Sequence, residues 1–297
     1  GLGALSVVPL LSVFDSLNAL FAIASLFFAA ALIVAASRWW LLGVVAALGL
    51  LALNSSTGLL AVEMSELSAD KPIVGALQTG EIIETRYDAF ARTDLVDPGA
   101  GQPYRVYVDG AAASVMPPSA NNDFLLGDIG LFAFVTAQPQ RVFALGAGAG
   151  LDVWFAQRVG ASEITAVEVN PQTVALTQDY SRYNGAVYAD ARVRVLIDEG
   201  RSVLRREDRR YDLIYLSQVV TLSAERTGYA LTENSVFTRE AFADYMAHLS
   251  DSGYIGLKLY DEPTLARAVG LSLDALRGAG IAADDAEALQ HMIVLLD

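Results

Sequence analysis

The run Arg141-Val-Phe-Ala-Leu-Gly-Ala-Gly-Ala-Gly150, followed by Ile164-Thr-Ala-Val-Glu168, decides how the rest of the chain is read. An apolar stretch ending in alternating glycines is the pattern of a buried parallel strand turning into a helix. Gly146, Gly148 and Gly150 let the backbone come close to a ligand where a Cβ would clash. Glu168 closes a second strand, and an acid about 20 positions after such a turn can accept hydrogen bonds from both hydroxyls of a ribose. The spacing is G-x-G-x-G, with Leu151 where a dinucleotide fold has its third glycine, which favours an adenosyl ligand of the S-adenosylmethionine type over NAD. Three glycines alone would also suit a turn that only packs helix on sheet. Glu168 tips the reading toward a nucleoside pocket.

Downstream, the pattern predicts strands near 141–145, 164–168, 193–197, 211–216, 254–258 and 290–296, and helices near 151–159, 171–183, 201–206, 238–249 and 262–278. Such alternation implies an α/β fold over residues 117–297: a doubly wound, Rossmann-like and mostly parallel sheet covered on both faces. Its ligand should lie outside the carboxyl ends of the strands, where Gly146, Glu168, Glu199 and Ser217 fall. Upstream, three short runs from Glu81, Phe90 and Tyr104 are separated by turn formers at Asp97-Pro-Gly99 and Asp109-Gly110. They predict a small antiparallel β unit over 81–116. Residues 63–80 read as a polar linker, and Asn122 to Thr136 has helical spacing.

The first 62 residues carry two charges, Asp15 and Arg38, while the remainder holds 33 acids and 19 bases and so all of the net charge of −14. Leu17 to Ser37 and Leu41 to Val62 are each long enough to cross a bilayer, at about 20 apolar residues per span. Arg38-Trp39-Trp40 between them has the character of an interfacial loop. The chain opens on Gly1 inside an apolar run, so further spans ahead of it are expected. With only two spans, the lone Arg38 would place the soluble part outside the cytoplasm; its side is left open. The acidic remainder argues against nucleic acid, whose phosphates need a basic face. It suits a small cationic amine, and it is also the ordinary surface of an acidic domain. Without cysteine, and with only His248 and His291, no metal site is expected.

Taken in order, Tyr107-Val-Asp-Gly110, the glycine loop, Val167-Glu-Val-Asn-Pro171, Ala191-Arg-Val-Arg-Val-Leu-Ile-Asp-Glu-Gly-Arg201 and Tyr211-Asp-Leu-Ile-Tyr-Leu216 resemble the spermidine synthase (polyamine aminopropyltransferase) family over about residues 81–260. Ala230-Leu-Thr-Glu-Asn-Ser-Val-Phe-Thr238 is similar to its membrane-fused bacterial branch, which implies an inner-membrane location. The resemblance assigns Glu168 to the ribose. It assigns Glu199, one methylene longer than the family's aspartate, to the adenine amino group, and it implies S-adenosylmethionine or its decarboxylated form as ligand. The family's base, an aspartate ending the fourth sheet strand, is here Ser217, and a hydroxyl without an activating partner is too weak a base to deprotonate an amine. The family's loop aspartate is Ala149, its glutamine after the Asp-Gly turn is Ala113, and its Tyr-His pair is Leu126-Gly127. Asp128 keeps an acid at the next position.

Two readings stay open. One is a membrane-anchored aminopropyl- or methyltransferase with shifted acids, for which Ser217, Asp128, Glu233 and Asp123 are candidates and Tyr87, Tyr229 and Tyr260 could wall an amine's apolar stem. The other is a non-catalytic structural or regulatory subunit of a membrane complex, partnered by other subunits or by a second copy as a homo-oligomer. In either case little or no ordinary spermidine synthase activity is expected.

Overall fold

The computed structural model describes residues 9–296 apart from 12, 36, 61–62, 67–68, 70 and 219–233. Helices α1 (Ser16–Val34) and α2 (Trp40–Thr57) form an apolar hairpin. Asp15 caps α1 by accepting the Asn18 N–H at 2.8 Å, and α2 ends where left-handed Gly58 donates its N–H to the Asn54 carbonyl. Only 17% of Leu17–Val34 and 11% of Trp40–Thr57 is buried, so the hairpin turns its apolar side chains outward, the reverse of a water-soluble core helix. The two helices meet at a buried hydrogen bond from Asn54 Nδ2 to Asn18 Oδ1, 2.9 Å.

The expected linker is not a free tether. It carries a 3₁₀ turn at Met64–Glu66 and a short helix α3 (Pro72–Ala76), and Met64 and Ile73 pack with Val96 and Tyr107 because these apolar groups gain from leaving water. Strands β1 (Glu81–Tyr87), β2 (Arg92–Asp97), β3 (Arg105–Val108) and β4 (Ala112–Val115) follow as an antiparallel meander in that order. Alternation splits the meander's side chains between its two faces. Val96 and Tyr107 face α3, while Leu95 and Val106 pack with Met116, Ala149 and Leu176. The meander therefore covers the glycine loop.

The single helix expected over 122–136 is divided into a 3₁₀ turn, Asp123–Gly127, and α4 (Leu131–Ala137). Asp128 between them is extended, and its Oδ1 accepts the Gly130 N–H at 2.7 Å, a local bond that competes with the helical ladder. Then β5 (Arg141–Leu145), β6 (Glu163–Glu168), β7 (Val193–Ile197), β8 (Tyr211–Ser217) and β9 (Leu249–Lys258) build a parallel sheet in the order β7-β6-β5-β8-β9.

The helices are α5 (Leu151–Arg158), α6 (Pro171–Asp179), α7 (Ser181–Asn184), α8 (Gly200–Arg206), α9 (Arg239–Ala247), α10 (Glu262–Gly278) and α11 (Asp285–Leu289). Val142 and Ala144 pack toward Phe134 and Phe155 on one face, and Phe143 and Leu145 toward Leu204 and Phe242 on the other, as double winding requires. The strand expected at 290–296 does not form. Ile293 and Leu296 are exposed there, and apolar alternation without an edge to pair with does not make a strand.

Candidate active site

The strand order reverses between β5 and β8, so the crevice at their carboxyl ends is where a parallel sheet of this kind holds a ligand. The glycine loop leaves β5 there, with φ of +74° at Gly146, +55° at Gly148 and +96° at Gly150. Its amides are used within the protein. Gly146 and Ala147 donate to the Val167 carbonyl, Gly148 to Glu168 Oε2 at 2.9 Å, Ala149 to Ser114 Oγ at 2.8 Å, and Gly150 to the Ala147 carbonyl. The space that a missing Cβ opens is also filled from within. A Cβ on Gly148 would collide with Ser114 of β4, and one on Gly150 would sit 2.8 Å from Val187. The close approach these glycines permit is thus, at 148 and 150, that of the chain's own β4 and of the segment after α7.

Glu168 ends β6 beside this loop. Oε2 accepts from Gly148 and Oε1 from the Asn170 N–H, 2.9 Å each, which leaves each oxygen a further lone pair for a hydroxyl donor. Burial raises its pKa, and the amides of Asn170, Gly148 and Val169 oppose that rise. Tyr188 donates to the Gly148 carbonyl at 2.6 Å and closes the underside of the loop. The sequence therefore brings a glycine turn and an acid together as the spacing predicts. Glu199 stands at the end of β7 as the N-cap of α8, accepting from Arg201 N at 3.0 Å and Ser202 N at 2.7 Å. Asp198, just before it, accepts the Glu199 N–H and is ion-paired with Arg206.

Ser217 ends β8 opposite Lys258, the last residue of β9. Lys258 Nζ contacts both oxygens of Asp128, at 2.7 and 2.8 Å. Asp128 thus comes to the sheet end, but with its charge already paired. Asp123 is exposed on its 3₁₀ turn, and Tyr87 lies on β1 beside Val13, Asp15 and Gln172, lining a separate cleft at the base of the hairpin. Glu233 and Tyr229 lie outside the described residues. Among the described residues no group of side chains is arranged to hold a metal ion.

Residue-by-residue reading missed Asp152, Tyr215 and Lys258. Asp152 is the second residue of α5, 4% exposed, and among the described residues its carboxyl makes no hydrogen bond. Burial pushes its pKa up to about 7, with Lys258 lowering it and Asp128 raising it. Tyr215 Oη is buried without a hydrogen-bond partner. The available signal was a lone charge in an apolar run, Asp152 in Leu151-Asp-Val-Trp-Phe and Lys258 in Tyr254-Ile-Gly-Leu-Lys, the latter one of only two lysines in the chain.

No protein-family model matches the chain. The fold is an α/β architecture with an antiparallel meander laid over its glycine loop. A polyamine aminopropyltransferase of Thermoplasma volcanium is 26% identical over 117 residues, 39% of this chain and 40% of that protein. The spermidine synthase of Thermotoga maritima superposes with a TM-score of 0.50 at 14% identity, over 66% of this chain and 63% of that one. A spermidine synthase in complex with the transition-state analogue AdoDATO gives 0.48, with the same identity and coverage. The chain spans about two fifths of the curated relative's length. It is related to the spermidine synthase family, and its fold is the one those enzymes have.

Proposed function

We propose that this chain is a membrane-anchored, spermidine synthase-like protein of the bacterial inner membrane whose crevice takes S-adenosylmethionine or its decarboxylated form. Its chemistry is aminopropyl or methyl transfer to a small cationic amine. Glu168 carries the reading: a part-buried carboxylate at the end of β6, hydrogen-bonded to the Gly148 amide, suits the two hydroxyls of a ribose. Glu199 would border the adenine and Gly146 to Gly150 the sugar. Such a ligand supplies a sulfonium carbon open to nucleophilic attack; the chain's share is to hold it, orient the amine and take up the amine's proton. With Ser217 in place of an acid, ordinary spermidine synthase activity is expected to be weak.

A second reading, a non-catalytic subunit of a membrane complex, is favoured by the internal use of the loop amides and by the paired charge of Asp128. Calorimetry on the full chain in detergent, with S-adenosylmethionine, its decarboxylated form and methylthioadenosine, separates the two. The pocket predicts binding that Glu168→Ala weakens by one to two decades, since charge-assisted hydrogen bonds contribute about 1.5–3 kcal/mol. Binding unchanged by that substitution removes Glu168 from the pocket, and no binding of any of the three by the unaltered chain leaves the subunit reading.

A further inference from the structure

A site for a cationic amine needs a carboxylate for the ammonium group, and the acids at the carboxyl ends of the strands are already engaged. Glu168 and Glu199 accept backbone amides, and Asp198 pairs with Arg206. Asp128 alone of these holds an ammonium group, and that group is the chain's own: Lys258 Nζ lies 2.7 and 2.8 Å from its two oxygens. The strand register puts this pair in the crevice. Leu145, just before Gly146, pairs with Leu216, and Ser217 pairs with Lys258, so Lys258 starts two strand spacings, about 10 Å, from the glycine loop. Alternation puts Tyr215, Ser217 and Lys258 on one face of the sheet, the face that Phe134 of α4 covers. A Cβ on Gly130 would lie 2.6 Å from Tyr215 Oη, 2.9 Å from Asp128 Oδ1 and 3.4 Å from Lys258 Cδ, so hydroxyl, carboxylate and lysine stem share one small space. The Tyr215 hydroxyl is buried there without a hydrogen-bond partner, an exception that calls for an explanation. With the lysine moved aside, hydroxyl and carboxylate would be two acceptors for one incoming ammonium group.

We propose that Lys258 is the specificity-determining residue of this crevice: its ammonium group occupies the place on Asp128 that a small cationic amine would take, and a free amine binds only by displacing it. The inference rests on the transferase reading above and deepens it by naming what sets the amine's affinity. A tethered group competes as an intramolecular ligand, at an effective concentration of about 1 mM or more, so an amine below that level is excluded. An amine that entered without displacing Lys258 would give up its hydration with no counter-charge in return. Discrimination of this kind works by disfavouring one class of ligand rather than by adding contacts to another. The pair is part-buried, with 20% of the Lys258 side chain and 23% of Asp128 exposed, so solvent screens it less than a surface ion pair.

The test is putrescine binding by calorimetry to the full chain in detergent, with methylthioadenosine titrated separately as the reading of the nucleoside pocket. Lys258→Met should bind putrescine about 10-fold or more tighter than the unaltered chain. Asp128→Asn added to Lys258→Met should cancel that gain, because the gain comes from the freed carboxylate. Lys258→Arg, which keeps a cation on Asp128, should bind putrescine as weakly as the unaltered chain. Removing one partner of a part-buried pair leaves the other uncompensated, so Lys258→Gln, which loses the charge but keeps a donor for Asp128, serves if the methionine variant does not fold. Putrescine affinity within about twofold of the unaltered chain's in the methionine or glutamine variant overturns the inference. So does a gain that survives Asp128→Asn, or half-saturation of the unaltered chain below about 0.1 mM putrescine. No methylthioadenosine binding by the unaltered chain overturns the transferase reading by itself, because the putrescine titrations are read without a donor.

Discussion

Asp152 and Ala149 lie three positions apart and show opposite solutions to burial. Ala149 is fully buried among Leu95, Val106, Met116 and Leu176, so a carboxylate there would be desolvated without a partner. Asp152 accepts that penalty. Its pKa is raised from 3.8 to about 7, so its protonated form fits the fold, and the contribution is fully present below about pH 4 and lost as pH rises through 7. At pH 8 the fold should therefore lose on the order of 4 kcal/mol at this one site relative to a neutral isostere. Asp152→Asn is expected to raise the denaturation midpoint at pH 8 and to leave it nearly unchanged at pH 4, read by urea titration in detergent. A gain of equal size at both pH values would mean that Asp152 does not titrate in this window. The acid was legible in the chain as a lone charge in an apolar run; its burial was not, because burial depends on segments that lie far from it in the sequence.

At the scale of elements, the hairpin is fastened by polar groups at its base. Asn54 Nδ2 donates to Asn18 Oδ1, Asn54 Oδ1 accepts the Leu60 N–H at 2.8 Å, and Asn18 Nδ2 donates to Asp15 Oδ2 at 2.8 Å. In an apolar surround such interhelical bonds contribute about 0.6–2 kcal/mol. A double-mutant cycle of Asn18→Ala and Asn54→Ala, followed by thermal unfolding in detergent, should return a coupling of that size; a coupling indistinguishable from zero would show that apolar packing alone holds the helices. The elements that departed from expectation have local causes. The helical spacing of 122–136 carried no sign that Asp128 would bond its own neighbour's amide, and the apolar alternation of 290–296 carried no information about whether an edge was within reach.

On the scale of the molecule, the meander is clamped to the parallel sheet by contacts spanning long stretches of chain. Asn170 Nδ2 donates to Thr93 Oγ1 at 2.9 Å, Arg86 pairs with Asp179 at 2.8 Å, and Tyr104 and Tyr183 stack at 4.0 Å. These hold β4 and Ser114 over the glycine loop, so the crevice is shaped by both sheets. The exposed faces of α1 and α2 include Leu26 at 60% and Val45 at 61%, and such a surface needs lipid or a partner to cover it. The chain is expected to remain in the membrane pellet after an alkaline carbonate wash and to need detergent for release. An Asp at position 26 or 45 should impair insertion, at about 2.5–3.5 kcal/mol for a charge at mid-span. Recovery of the unaltered chain in the wash supernatant would sink the membrane assignment.

The sequence by itself determined the apolar hairpin, the meander and the strand and helix alternation. It also determined the pairing of a glycine turn with Glu168, because periodicity and spacing act over a few residues and are written in consecutive positions. Only the tertiary structure decided that Ser114 occupies the room beside Gly148, that Asp128 is neutralised by Lys258 from 130 positions away, that Tyr215 Oη is buried without a partner, and that Asp152 is 4% exposed. The reason is physical. A side chain's charge state and free hydrogen-bonding capacity depend on what lies within a few ångströms, and in a parallel sheet those neighbours come from strands far apart in the chain.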